Sequence, residues 1–306
     1  MLKKFIKVIR DPKIAVFYIL NSKISRLIPD AYFLKITYKI GTGKKLDLKN
    51  PISFNEKIQW LKINNRNPKY TNMVDKYEVR KYISNTIGEE YLNPLLGVWD
   101  KFEDINFEAL PNQFVLKCTH DSGRLLICKD KSKFNIAEAK KKINNSLKEN
   151  YYYFGREWPY KNVKPRIICE KYMEQDDGDE LRDYRFFCFN GEPKFIAVDF
   201  SITDKENTRR NLYDLKWNLM DGEISYPKEL SLRVEKPDKL DLMIALSRKV
   251  SSDIPHARVD FYYIKQKIIF GEITFFHQSG MGKIRPIEFE GKMGNWLKLP
   301  QKKTSI

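Results

Sequence analysis

Arg258, Asp260, Glu272 and Thr274 occur as two alternating pairs in neighbouring apolar segments near the C-terminus. The first segment reads Ala257-Arg258-Val259-Asp260-Phe261. The second, residues 268–275, carries Gly271-Glu272-Ile273-Thr274. Side chains two apart on a strand share a face. A tight connection over residues 262–267 therefore predicts a hairpin with all four side chains on one surface, backed by Val259, Phe261 and Ile273. Two carboxylates and a hydroxyl form a hard-oxygen site suited to Mg²⁺, with coordination left over for phosphates. The adjacent arginine adds a bidentate anion clamp. Acidic residues in apolar strands need such a reason, because burying an unpaired charge is costly. A salt-bridged sheet surface is the plainer explanation of the same pattern.

Two further stretches fit a nucleotide. Lys117 ends the apolar run Phe114-Val115-Leu116 and precedes Thr119-His120-Asp121-Ser122-Gly123-Arg124, a lysine followed by a small polar loop that can cradle phosphate. Glu170-Lys171-Tyr172-Met173 then ends another strand before the acidic stretch at 176–180. A strand edge there offers backbone groups to an adenine, and the acids beyond it suit ribose hydroxyls.

These residues must be positioned by a mixed fold. Ser53 followed by Glu56 is a capping box that opens a helix. A second helix is expected over 75–86. Strands are expected at 95–99, 114–118, 125–128, 166–173, 184–189 and 193–200, with helices at 136–149 and 240–252. The last strand pair turns at Asn190-Gly191. Strands dominate residues 114–276 with helices inserted, so the class is α+β. The expected organisation is a basic helical segment (1–50), a small subdomain (51–112) and the main domain (113–306).

The chain has 306 residues and a formal charge of +16. Residues 1–49 hold twelve Lys and Arg against three Asp, a net of +9. Their apolar run at 14–20 is too short to span a bilayer, and no cleavage site follows it, which argues against a secretory signal. Such a segment suits an anionic membrane surface or packs as a cap on the main domain. No nucleic-acid-binding motif accompanies the charge, so nucleic acid is not the expected partner. Cys118, Cys128, Cys169 and Cys188 lie in apolar runs without CxxC spacing and read as buried thiols of a reducing compartment. With only three histidines, a zinc site is not expected.

The order of lysine, loop, strand-edge hinge and carboxylate pair resembles the ATP-grasp superfamily. Within it the chain is most similar to the TupA-like proteins of capsule and exopolysaccharide gene clusters. The motifs that carry this are Ser53-Phe54-Asn55-Glu56-Lys57-Ile58-Gln59-Trp60, Asp75-Lys76-Tyr77-Glu78-Val79-Arg80, Phe114-Val115-Leu116-Lys117, Glu170-Lys171-Tyr172, Asp183-Tyr184-Arg185-Phe186 with its continuation to residue 195, and Gly271-Glu272-Ile273-Thr274-Phe275. The resemblance implies two α+β subdomains gripping ATP. It implies Lys76 and Lys117 on phosphates, Ser122 and Gly123 in the covering loop, Glu170 and Met173 on adenine, and Asp179 or Glu180 on ribose. Arg185 falls near phosphates and Arg258 on the transferred phosphoryl group. Asp260 and Glu272 match the Mg²⁺ ligands, with Thr274 where many members have asparagine. His277, Gln278, Ser279 and Gly280 fall where the acceptor binds. The implied reaction is ATP-dependent joining of a carboxylate, such as a hexuronic acid of a surface polysaccharide or its precursor, to an amine. The implied place is the cytoplasm, at or near the inner face of a bacterial membrane. Two other readings stand beside it. Asp177-Gly178-Asp179 matches the metal-binding tripeptide of glycosyltransferases, and a chain of this kind could serve as a non-catalytic nucleotide-binding assembly factor.

Overall fold

The computed structural model describes residues 23–174, 182–200, 208–231 and 234–301. Helix α1 (Asp30–Thr42) buries Phe33, Leu34 and Tyr38 against Leu46 and the partly buried Ile63. Helix α2 (Phe54–Asn64) opens with the expected capping box. Ser53 Oγ accepts from the Glu56 amide at 3.3 Å, and the Glu56 carboxylate accepts from the Ser53 amide at 3.0 Å. The helix expected over 75–86 starts four residues late, and a separate short helix precedes it. Helix α3 (Lys69–Val74) ends at Asp75, whose carboxylate accepts from the Tyr77 and Glu78 amides. Helix α4 (Val79–Thr86) starts only after that turn. Lys76 thus lies in a side-chain-capped turn rather than on a helix.

A smaller antiparallel sheet holds β1 (Leu95–Trp99), β2 (Phe114–Cys118), β3 (Leu125–Cys128) and β4 (Ile167–Lys171), in the order β1-β4-β2-β3. Helix α5 (Ile136–Leu147) covers it with Ala139 and Ile143, which join Phe114, Leu116, Ile167 and Cys169 in a separate core. Strand β1 lies before the boundary expected at 112/113, yet it hydrogen-bonds to β4 beyond it. The short helix α6 (Tyr152–Gly155) leads from α5 back toward β4.

The larger sheet comprises β5 (Asp183–Phe189), β6 (Glu192–Phe200), β7 (Arg209–Tyr213), β9 (His256–Ile264) and β10 (Lys267–Thr274), ordered β10-β9-β5-β6-β7. Between β7 and β9 come β8 (Glu223–Ile224) and α7 (Leu240–Val250), and the chain ends with β11 (Ile284–Arg285), paired to β8, and α8 (Ile287–Trp296). Both hairpins close through two left-handed residues, Asn190-Gly191 and Lys265-Gln266, the geometry that matches strand twist. One face of the sheet is apolar and lies under α7, where the Cys188 thiol points at the Ser247 carbonyl. The other face runs from stacked Phe187 and Phe195, 4.5 Å apart, into a charged strip toward the smaller sheet. Helices α2, α3 and α4 share the larger sheet's core. All four cysteines are buried and free, as expected. Among the described residues no helix is long and apolar enough to cross a membrane.

Candidate active site

A cleft of about 440 Å³ separates the two sheets. Nine of the expected site residues line it: Lys76, Lys117, Ser122, Gly123, Glu170, Met173, Arg185, Asp260 and Glu272. They come from stretches of sequence nearly two hundred residues apart. The antiparallel pairing of β2 with β4 sets Lys117 and Glu170 in the smaller sheet, where Lys117 Nζ donates to Glu170 Oε2 at 2.7 Å. Arg80, from α4, reaches the other oxygen of Glu170 at 3.4 Å. Lys76 Nζ donates to the Cys118 carbonyl at 3.0 Å and to the Asp121 carbonyl, and lies 3.3 Å from Asp121 Oδ1. That lysine therefore ties the helical layer to the root of the loop. Thr119, His120 and Asp121 are buried, whereas Ser122, Gly123 and Arg124 are exposed. The loop thus has a fixed base and an open tip over the cleft, and Gly123 adopts a left-handed φ of 75° there.

The facing wall is the hairpin predicted from the sequence. Asp260 pairs in register with Glu272, and Arg258 with Thr274. A bulge at Gly271 lets the two carboxylates meet on one face. Arg258 grips Asp260 with Nε at 2.7 Å from Oδ1, and its Nη2 donates to Glu272 Oε1 at 2.6 Å. Thr274 Oγ1 donates to that same Glu272 oxygen at 3.1 Å, which orients the carboxylate. Beside them Arg185 bridges Asp183 at 2.8 Å and Asp199 at 2.6 Å, and Asp199 is gripped in turn by fully buried Arg210. Four carboxylates (Asp183, Asp199, Asp260, Glu272) thus face three guanidiniums (Arg185, Arg210, Arg258). Burial raises Asp183 and Asp260 above the ordinary carboxylate range against the pull of their arginines. Burial also opposes ionisation of Glu272, but Arg258, Arg185 and Lys76 outweigh it and hold that group low. Asp183 Oδ1 is buried without a partner.

This donor set fits Mg²⁺. Its oxygens are hard, and the side chain of Glu272 is 49% exposed toward the cleft. Among the described residues no group of three or more His, Cys, Asp or Glu is arranged to hold a metal ion. Protein ligation would therefore come from Asp260 and Glu272, the remaining positions falling to phosphate and water oxygens, as is usual for this ion.

Arg258 and Thr274 bond to Asp260 and Glu272 but do not themselves line the cleft, and neither do His277, Gln278, Ser279 and Gly280. Buried His277 is a spacer: its Nδ1 accepts from Arg258 Nη1 at 2.9 Å, and its Nε2 lies 3.4 Å from Arg210 Nη1. Burial and the two guanidiniums hold it neutral by pushing its pKa well down. Gln278, Ser279 and Gly280 form three successive left-handed residues, and their turn is seated on α2. Fully buried Lys62 donates to Ser279 Oγ at 2.7 Å and to the Gly155 carbonyl at 2.8 Å, while Gln59 donates to the Ser279 and Gly280 carbonyls. The structure thus gives this turn a part in holding Arg258. Asp179, Glu180 and the Asp177-Gly178-Asp179 tripeptide lie outside the described residues.

The residues missed from sequence are Arg80, Asp199, Arg210 and Asp121. Asp199 carried the same signal as Asp260, an acid inside an apolar strand. Arg210 is buried in an ion pair, and nearby Trp217 stacks on Tyr213 at 4.3 Å.

The family model described as TupA-like ATPgrasp matches residues 56–298. No curated protein matches the chain. Among solved structures, D-alanine–D-alanine ligase from Bacillus anthracis complexed with ATP is 17% identical, with a TM-score of 0.39 over 67% of this chain and 55% of that one. D-alanine–D-alanine ligase from Helicobacter pylori is 12% identical, with a TM-score of 0.40 over 74% and 63%. The ATP-grasp ligase PsnB, complexed with a phosphomimetic variant of its minimal precursor, Mg and ADP, is 10% identical, with a TM-score of 0.39 over 76% and 61%. The chain spans less than two thirds of the length of each of these three ligases. With four-fifths of its residues inside the family model and the two-sheet cleft described above, the chain belongs to the TupA-like ATP-grasp family.

Proposed function

We propose that the protein is an ATP- and Mg²⁺-dependent carboxylate–amine ligase. The observation that carries this reading is the meeting of Lys76, Lys117 and Glu170 with the Asp260–Glu272 pair in a single cleft. Glu170 and Met173 would hold the adenine, and Lys76, Lys117 and the tip of the loop at 122–124 the phosphates. When bound, Mg²⁺ would neutralise charge between the β- and γ-phosphates. Lys117 must exchange part of its bond to Glu170 for a phosphate oxygen. Arg258, fixed by Asp260 and His277, would lend its charge to the transferred γ-phosphoryl group from beside Glu272, to which its Nη2 donates. A substrate carboxylate attacks that group to give an acyl phosphate and ADP. An amine then displaces phosphate, giving the amide. No side-chain nucleophile is required, since preorganised charge does most of the work. The family resemblance supports a hexuronic acid of a surface polysaccharide, or its precursor, as the carboxylate and an amino acid or similar amine as the acceptor.

The test is incubation with Mg²⁺-ATP and paired panels of sugar acids and amines. The reading requires ADP and amide to appear together, only when both substrates are present. Transfer from a nucleotide-sugar without ADP formation would refute it.

A further inference from the structure

Helix α1 has two unlike faces. Phe33, Leu34 and Tyr38 pack inward, while Tyr32, Ile36 and Ile40 recur every four residues on the outer face. Tyr32 is 65% exposed and Ile40 49%, and Leu27, just before the helix, is 84% exposed. Isolated exposed apolar residues are ordinary, but an aligned stripe marks an interaction surface. Its rims are basic. Lys35 and Lys39 are exposed along one edge. On the other edge, Phe33 and Thr37 border a groove of about 470 Å³ that Lys23, Arg26, Lys148 and the half-exposed Phe154 also line. Among the described residues no ion pair engages Lys23, Arg26, Lys35, Lys39 or Lys148. The acids nearby are committed: Asp30 to Arg66 at 2.6 Å and to the Tyr152 hydroxyl at 2.5 Å, and Glu149 to Arg124 at 2.6 Å.

We infer that this face docks on an anionic phospholipid surface, with Leu27, Tyr32, Ile36 and Ile40 entering the headgroup boundary and the basic rims contacting lipid phosphates. An apolar stripe between cationic rims is the pattern of an interfacial helix. Charge complementarity selects this occupant over two others. A second copy would bring the same cationic rims against these. Residues 1–22 carry five Lys and Arg against one Asp, so they too would oppose the rims. The inward face of α1 is already seated on the protein, so docking does not require the helix to detach. The inference does not depend on the ligase reading.

The experiment is co-sedimentation of the full-length chain with vesicles of phosphatidylcholine, with and without phosphatidylglycerol, at low and high salt. The variants are Tyr32→Ser/Ile36→Ser/Ile40→Ser and Lys35→Glu/Lys39→Glu. All of these positions are solvent-facing, and an unchanged melting temperature certifies folding. Binding should require phosphatidylglycerol, weaken with salt, and fall roughly tenfold or more in each variant. Equal binding by wild type and both variants would overturn the inference and assign the affinity to residues 1–22. So would a dimer that the apolar variant dissociates, or no binding at low salt. The melting shift induced by Mg²⁺-ATP should be the same in all three proteins, which separates this test from that of the catalytic reading.

Discussion

At the scale of single residues, the site is a charge ledger read across strands. Arg210 and Asp199 are both buried, and each is satisfied mainly by the other, with Arg185 as a second partner to the aspartate. Removing one member of a buried ion pair strands the other charge. Arg210→Met should therefore cost about 3 kcal/mol of stability in urea unfolding, while the double change with Asp199→Leu should recover part of it. A single variant as stable as wild type would show that the network carries no such load. The Asp260–Glu272 register was legible in the sequence because strand alternation and a short turn leave few alternatives. The Arg210–Asp199 pair, cross-strand partners on β6 and β7, was not, because Arg209-Arg210-Asn211 does not read as an apolar strand. His277 was placed at the acceptor by the resemblance alone; its seat between Arg258 and Arg210 depends on a turn that Lys62 and Gln59 hold from more than two hundred residues away.

At the scale of elements, the strongest local signals held. The capping box at Ser53 and Glu56 begins α2 where the sequence places it, and α2 supports the turn at 278–280 and packs against α1. Ser53→Ala should lower stability by about 1 kcal/mol, the usual loss for an N-cap, and Ser53→Asp should restore it. Equal melting temperatures for all three proteins would contradict that role. Helix boundaries were less legible. The turn at Asp75 delays the expected helix because its carboxylate caps two amides while Arg166 holds its other oxygen at 2.8 Å, a tertiary contact with no local trace. The subdomain boundary at 112/113 was drawn by sequence order, whereas β1 joins the smaller sheet through a pairing with residues 167–170.

At the scale of the whole molecule, two cores grip one cleft, and the stability of the larger depends on neutral histidines. His256 is fully buried, and its Nδ1 donates to the Cys188 carbonyl at 3.0 Å. Burial, more than the nearby Arg258, pushes its pKa down to about 3. The unfolded chain takes up a proton near pH 6.5, so the folded state binds fewer protons between these values. The stability this neutral group contributes is complete above about pH 6.5 and is lost as pH falls toward 3, at about 1.4 kcal/mol per pH unit. Between pH 7 and pH 5, wild type should thus lose about 2 kcal/mol more than His256→Asn in urea unfolding. Parallel pH profiles would contradict the assignment. The overall class and the two-sided cleft were legible because each wall carries its own motif. The face of α1 that stays open was not, because its apolar period alone cannot distinguish core from surface.

The central claim is that the cleft binds Mg²⁺-ATP through the Asp260–Glu272 pair. The most direct test is the melting temperature of wild type and Glu272→Gln with ATP, with and without Mg²⁺, beside a UDP-sugar control. Ligand that binds only the folded state stabilises it by about 2.7 kcal/mol at a hundred times its dissociation constant. The account predicts a shift with ATP that Mg²⁺ enlarges in wild type, little enlargement in a normally folded Glu272→Gln, and a smaller shift with UDP-sugar. An ATP shift indifferent to Mg²⁺ and to Glu272, or a larger shift with UDP-sugar, would contradict it.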